Sequence, residues 1–241
     1  MKIALYLPGM LRQFELPYEY LKKYVLDPLD PDIFFSGYPN DDGLEYCKNK
    51  IEELYKPKKY ILRNFDEEAK NEIYPNIQKY YSNKRPETRP ETYISGRYNV
   101  KKCNDLRKSY EIENGFKYDV IICSRTDLFY NREHSSDELL RAKNGEVLIP
   151  HEWDCKYLNP IAVSDIGFVT NSENSNKISS IYDFIDTYFS EGNTLHPEIY
   201  MGIHLERMGI LEKRTEINRY GWYHFYHPEL GLDFDRKREV S

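Results

Sequence analysis

Apolar residues in this chain fall into short dense runs, separated by stretches where they recur every three or four positions. Ile3-Ala4-Leu5-Tyr6-Leu7 predicts a strand over residues 2–7, broken by Pro8-Gly9, with a helix over about 11–26 behind it. Asp32-Ile33-Phe34-Phe35-Ser36-Gly37-Tyr38 reads as a second strand, Leu44 to Leu54 as an amphipathic helix and Lys59-Tyr60-Ile61-Leu62 as a third strand, an alternation that implies βαβ units. Residues 64–91 are polar and carry Pro75, Pro86 and Pro90, so the second half of this stretch is expected to be a mobile loop. From about Gly96 to Glu113, Val100, Cys103, Leu106 and Tyr110 mark one apolar helix face. Beyond Tyr130 the pattern gives a short helix near 136–141, strands over 146–150 and 164–170, and a helix over 177–188 with Ile178, Ile181, Phe184, Ile185 and Tyr188 on one side. A helix opening at Pro197 and a last strand over 210–217 complete it.

The densest run, Tyr118 to Leu128, ends in Arg125-Thr126-Asp127. Val120, Ile121, Ile122 and Cys123 suit a strand buried on both faces, and in α/β sheets ligands bind beyond the C-terminal ends of such strands. Arg grips phosphate oxygens and a carboxylate holds a hard divalent cation, so the triplet suits a nucleotide-sugar site. A salt bridge between the two side chains, or an N-cap at Asp127, would account for the same residues.

A fraction of 40% hydrophobic residues in 241 is ample for a packed core, and no internal repeat or linker divides the chain, which reads as one domain. The net charge of −6 argues against a general nucleic-acid binder, which carries a basic excess. The N-terminal apolar run is too short for a signal peptide and no segment is long enough to span a membrane. Cys47, Cys103, Cys123 and Cys155 show no C-x-x-C spacing, so reduced thiols and a cytoplasmic setting are expected. The 23 tyrosines describe half-buried packing more than a partner.

In the order of its segments the chain resembles a family of small GT-A-like glycosyltransferases from bacterial polysaccharide clusters and large DNA viruses. The resemblance spans about residues 1–220. It is carried by Ile3 to Arg12, by Ser95 to Leu106, by Tyr118 to Leu128, by Ser164 to Asn171, and by His196-Pro197-Glu198 with Ile199 to Ile210. The first turn keeps Gly9 and Arg12 with altered neighbours, and Ile166-Gly167 stands where the pattern favours a polar and then an aromatic residue.

The resemblance implies a single-domain GT-A-like (Rossmann-like) α/β fold: a mixed, mainly parallel sheet flanked by helices over 1–220, with an aromatic, then charged tail over 221–241 packed on it. It implies transfer of a sugar from a nucleotide-sugar donor to a hydroxyl of a glycan or glycoconjugate acceptor. A divalent cation, Mn²⁺ or Mg²⁺, would assist at Asp127, although a full D-x-D motif is absent. Gly9, Arg12, Arg97, Arg125 and Asp127 would bind the donor; an ordinary turn followed by a solvated helix arginine accounts equally for Gly9 and Arg12, and a solvated charge would account for Arg97. Asp165 or Glu198 would take the acceptor proton, Asp165 being preferred as base and Glu198 shaping the pocket. An acidic residue in a helix's first turn is also favoured by the macrodipole alone, and His-Pro-Glu recurs at 227–229. His196 is expected to pack. Trp153-Asp154 suits either a sugar platform or a core edge. The competing class is a non-catalytic nucleotide- or glycan-binding module that kept the fold. A nucleotidyltransferase is disfavoured, because no glycine-rich, Lys-bearing loop follows the first strand.

Overall fold

The computed structural model describes residues 1–12, 14–151 and 161–218, with short strands at 223–224, 226–227 and 232–233. Its centre is a seven-stranded sheet built on β1 (Ile3–Met10), β2 (Asp32–Tyr38), β3 (Lys59–Leu62) and β4 (Val120–Cys123), extended by β7 (Phe168–Thr170), β6 (Val147–His151) and β8 (Arg214–Asn218), while the two-residue β5 (Phe129–Tyr130) pairs with 223–224 outside it. The spatial order is β3-β2-β1-β4-β7-β6-β8; β7 alone runs antiparallel to its neighbours. This is the single mixed, mainly parallel α/β domain expected from the sequence.

Period-two alternation sends successive residues to two separate cores. Ala4, Tyr6, Phe34, Ile121 and Cys123 face one; Ile3, Leu5, Leu7, Ile33, Phe35, Val120 and Ile122 face the other. The first core is covered by α5 (Pro90–Asn114), α7 (Ser172–Ser179), α8 (Ile185–Ser190) and α9 (Pro197–Arg207). The second lies under α1 (Tyr18–Leu21), which continues through a π-helical turn (Lys22–Leu26) into α2 (Asp27–Leu29), and under α3 (Leu44–Leu54) and α6 (Ser136–Lys143). Among the described residues no helix is long and apolar enough to cross a membrane.

β2, β3 and α3 have the boundaries the sequence predicts. β1 does not stop at Pro8. Its register with β4 ends at Tyr6–Cys123, but that with β2 continues to Met10–Tyr38, so Pro8 and Gly9 lie where the strand has lost one neighbour and a missing N–H is tolerated. Gly9 adopts φ 111°, and a Cβ on the facing Gly37 would lie 1.7 Å from the Gly9 carbonyl oxygen. The strands therefore approach too closely for a side chain at Gly37.

The first half of residues 64–91 holds α4 (Glu67–Ile73). The second half, expected to be a mobile loop, holds most of a 3₁₀ turn (Ile77–Ser82), and α5 begins at Pro90, six residues before the predicted start. Proline suits the first helical position because its missing N–H has no partner there. The buried face of α5 is also more polar than predicted: Asn99, Asn104, Arg107 and Glu111 are buried with Val100 and Cys103, whereas Leu106 and Tyr110 lie at its edge. The predicted helix over 177–188 is α7, a 3₁₀ turn (Ser180–Phe184) and α8 in succession.

The chain winds outward from β1 through β2 to β3, then returns past β1 to β4. The strand order thus reverses between β1 and β4, and a crevice outside their C-terminal ends is where sheets of this kind bind ligands.

Candidate functional site

β4 delivers Arg125 and Asp127 to that point. The Arg125 Nε donates to Asp127 Oδ1 at 2.8 Å and Nη2 to Oδ2 at 2.5 Å, so the carboxylate is gripped on both oxygens. The salt bridge considered from sequence is present. Among the described residues no three His, Cys, Asp or Glu side chains converge as metal ligands.

Asp165 does not begin a strand; β7 starts at Phe168. Asp165 lies instead in an irregular lead-in that is fixed by two close backbone approaches. A Cβ on Gly167 would lie 2.5 Å from the Cys123 carbonyl oxygen, and one on Gly202 of α9 would lie 1.6 Å from that of Ile161. The segment is thereby wedged between the end of β4 and the first turns of α9, where the Val163 N–H donates to the Glu198 carbonyl at 2.9 Å.

Arg97 completes the cluster from α5. It lies two turns inside the helix, not before its start. Its Nη2 is 3.2 Å from Asp165 Oδ2 and donates to the Asp165 carbonyl at 3.1 Å, and its guanidinium carbon lies 5.8 Å from the centre of the Tyr93 ring. The pair is largely enclosed, with side chains 12% and 18% exposed. Burial drives the Asp165 carboxyl above the ordinary range, and the negative charge of Glu198 adds to this. Arg97, Arg125 and His196 pull the other way and do not cancel it.

Glu198 occupies the first turn of α9, as predicted, with Pro197 at the first helical position. Its Oε2 lies 2.8 Å from Nδ1 of His196, whose Nε2 is 3.2 Å from Glu87 Oε1. His196 is buried but does more than pack. Burial disfavours its protonated form, but the two carboxylates outweigh that and raise its pKa above the ordinary histidine value.

Several enclosed polar atoms around this cluster have no hydrogen-bond partner among the described residues: Tyr93 Oη, Thr88 Oγ1, Ser164 Oγ and Arg97 Nε. Buried polar groups are normally paired, so a group of unpaired ones beside charged residues is what a polar ligand would satisfy. Burial, together with the nearby Asp165 and Glu198, holds the Tyr93 hydroxyl well above its ordinary pKa, so it remains a donor at neutral pH.

The structure therefore gathers Arg97, Arg125, Asp165 and Glu198 and ties Asp127 to Arg125. Gly9 lies near the end of β1 and Arg12 two residues beyond it, and the exposed Arg12 side chain makes no hydrogen bond or ion pair among the described residues. Tyr93, Thr88, Ser164 and Glu87 were missed from sequence. Starting α5 at Pro90 would have placed Tyr93 and Arg97 one turn apart on the same face. Trp153, Asp154 and Cys155 lie outside the described residues.

No family model matches the chain, and no curated protein matches it. Among solved structures it is similar to mouse xyloside xylosyltransferase 1 in its apo form, with 12% sequence identity, covering 90% of this chain and 84% of that one, at a TM-score of 0.44.

Proposed function

We propose that the chain is a glycosyltransferase that moves a sugar from a nucleotide-sugar donor to a hydroxyl of a glycan or glycoconjugate. The observation that carries the reading is the cluster of Arg97, Asp165, Glu198 and Arg125, drawn from four separate segments to the end of β4 beside the point where strand order reverses.

In this reading Arg125 and Arg12 bind the donor's phosphates, Gly9 lets the β1 terminus approach the nucleotide, and Arg97 holds Asp165 while its unpaired Nε–H faces the ligand. The acceptor oxygen attacks the anomeric carbon as that carbon's bond to the diphosphate oxygen breaks. The electron pair leaves with the diphosphate, whose growing charge the arginines offset. The acceptor proton passes to Asp165. A carboxylate raised toward neutral pH is a stronger base than an ordinary aspartate, which favours Asp165 for this step.

Asp127 fits a divalent cation only in part. It offers one carboxylate already gripped by Arg125, so a cation would be held there jointly with donor phosphate oxygens, as magnesium commonly is. Such a cation would add positive charge against the departing diphosphate. Without one, Asp127 orients Arg125.

The test is a thermal-shift screen against UDP-, GDP-, CMP- and dTDP-sugars with and without Mn²⁺, repeated on Asp127→Ala and followed by turnover assays on Asp165→Asn. A donor at about 100 times its Kd adds about 2.7 kcal/mol, which raises the Tm of a chain this size by about 5–10 °C. A shift for one donor, with turnover lost in Asp165→Asn, supports the reading; a shift that needs Mn²⁺ and vanishes in Asp127→Ala assigns the cation. Donor binding without turnover on any acceptor would favour the binding module. No shift with any donor would refute the reading.

A further inference from the structure

The residues ahead of α9 are latched to the segment ahead of α5. The Leu195 N–H donates to the Asn83 carbonyl at 2.9 Å, the Arg85 N–H to the Leu195 carbonyl at 3.2 Å, and the Thr194 hydroxyl to Asn83 Oδ1 at 3.1 Å. This latch brings Glu87 over His196. The histidine side chain is 7% exposed and Glu87 is 61% exposed, so Glu87 stands at the rim while the ring it faces lies inside. Each ring nitrogen has a carboxylate oxygen close by, Glu87 Oε1 within hydrogen-bond reach of Nε2 at 3.2 Å and Glu198 Oε2 at 2.8 Å from Nδ1 but off the line of a hydrogen bond, so the ring sits between two negative charges that favour its doubly protonated form.

We infer that Glu87 is a positioning residue that acts on the buried cluster through His196, holding the ring between two carboxylates so that Glu198 remains ionised and oriented beside Asp165. Glu87 touches neither Asp165 nor Arg97, and its influence passes along Glu87, His196, Glu198 and Asp165 in that order. The charged groups facing this string are Glu87 from the latch, Glu198 from α9 and Asp165 from the wedged segment, with Arg97 and Arg125 opposing the charge of Asp165. With the imidazolium in place, the proton taken in the reaction goes to Asp165. Without it, two poorly compensated carboxylates share the pocket and a proton partitions between them.

The consequence for catalysis rests on the proposed glycosyltransfer; the coupling of Glu87 to His196 does not. The experiment is therefore made in two arms on Glu87→Gln, which keeps the side chain's size and removes its charge, with Glu87→Asp as the conservative control. In the first arm, NMR titration of the His196 ring in the ligand-free protein is expected to move to lower pH in Glu87→Gln and to return toward the wild-type value in Glu87→Asp. An unchanged titration in Glu87→Gln would overturn the inference whether or not the protein proves to be a transferase. In the second arm, kcat in Glu87→Gln is expected to decline on its alkaline limb at lower pH than in the wild type, with kcat about 3- to 10-fold lower near neutrality and the donor KM unchanged. A moved titration with an unmoved kcat profile would show that the string is structural and overturn its positioning role.

Discussion

Replacing Arg97 with Gln tests whether the Asp165 carboxylate is held as the geometry implies. The substitution removes the positive charge 3.2 Å from Asp165 Oδ2 and the donor 3.1 Å from its carbonyl, leaving the carboxylate enclosed beside Glu198. Breaking a fully buried ion pair costs about 3–5 kcal/mol. Arg125 and His196 still offset Asp165 and the pair keeps some solvent access, so the expected loss is about 2–3 kcal/mol, or about 5–10 °C in Tm for a chain of this length. The pH dependence carries the sharper information. Burial already raises the native Asp165 pKa above its unfolded value. The stability linked to its proton is therefore present in full below the ordinary aspartate range and lost as pH rises through the native value. Removing Arg97 raises that native value further and deepens the loss. The deficit of the variant relative to wild type is thus largest on the alkaline side, measured at about pH 7.5, and smaller at about pH 4.5, because it shrinks as falling pH protonates Asp165. Urea unfolding at both pH values, on Arg97→Gln, Asp165→Asn and the double variant, would give a coupling energy of about 1–3 kcal/mol at the higher pH. A deficit below about 0.5 kcal/mol at about pH 7.5, or one of equal size at both pH values, would refute the account of this pair.

Arg107, only 1% exposed, donates to Tyr6 Oη, Glu111 Oε2, Asn104 Oδ1 and Asn176 Oδ1, so Arg107→Ala should cost about 3–5 kcal/mol by stranding Glu111 in the core. The paired change Arg107→Met with Glu111→Leu should restore most of that in urea unfolding, and a single variant losing under about 1 kcal/mol would sink the argument. His204 is buried in α9, its Nδ1 2.6 Å from the Tyr188 hydroxyl and its Nε2 2.7 Å from the Lys177 carbonyl, and burial lowers its pKa to about 4. Its contribution of about 3 kcal/mol is present above the ordinary histidine value and lost as pH falls through about 4, so His204→Gln should flatten stability between those limits. His134, also lowered to about 4, adds a parallel slope that this variant leaves intact; an unchanged curve in His204→Gln would count against the assignment.

Where local chemistry decided the structure, the sequence was a sufficient guide. β4 is legible because four consecutive residues are apolar and all four are buried, and α9 because Pro197 sits at its first helical position. The failures share a physical origin in tertiary context. Pro8 and Gly9 break a strand only where both edges need N–H donors, and at Pro8 β1 has already lost β4 as a partner. Three prolines and a run of mixed charge between 64 and 91 look like a loop, yet the same residues hold the latch to Leu195 and the rim position of Glu87. At the site, residue chemistry singled out Arg97 for the donor and Asp165 and Glu198 for the acceptor, and the structure brings the three into one cluster. Their partners were invisible, because Arg97 and Asp165 stand 68 positions apart and no local rule links a helix to a segment wedged against β4.

The polar inner stripe of α5 connects these observations. Apolar side chains could slide or rotate against a sheet at little cost, whereas a buried guanidinium and carboxylate hold the helix in the one rotation and height that satisfy them. Arg107 bonds β1 through Tyr6 and α7 through Asn176, and Glu111 accepts from the Tyr118 N–H just before β4. Toward the other end of the same helix, Ser36 of β2 donates to Asn99, which in turn donates back to the Ser95 carbonyl. The helix is thereby registered against β1, β2 and the approach to β4, the elements whose ends frame the crevice. Arg97 lies two turns before Asn104 along that face, so the network that costs desolvation energy in the core is also what fixes the guanidinium against Asp165. An apolar stripe of equal volume could match the fold's stability, but it would leave the aim of Arg97 to side-chain packing alone.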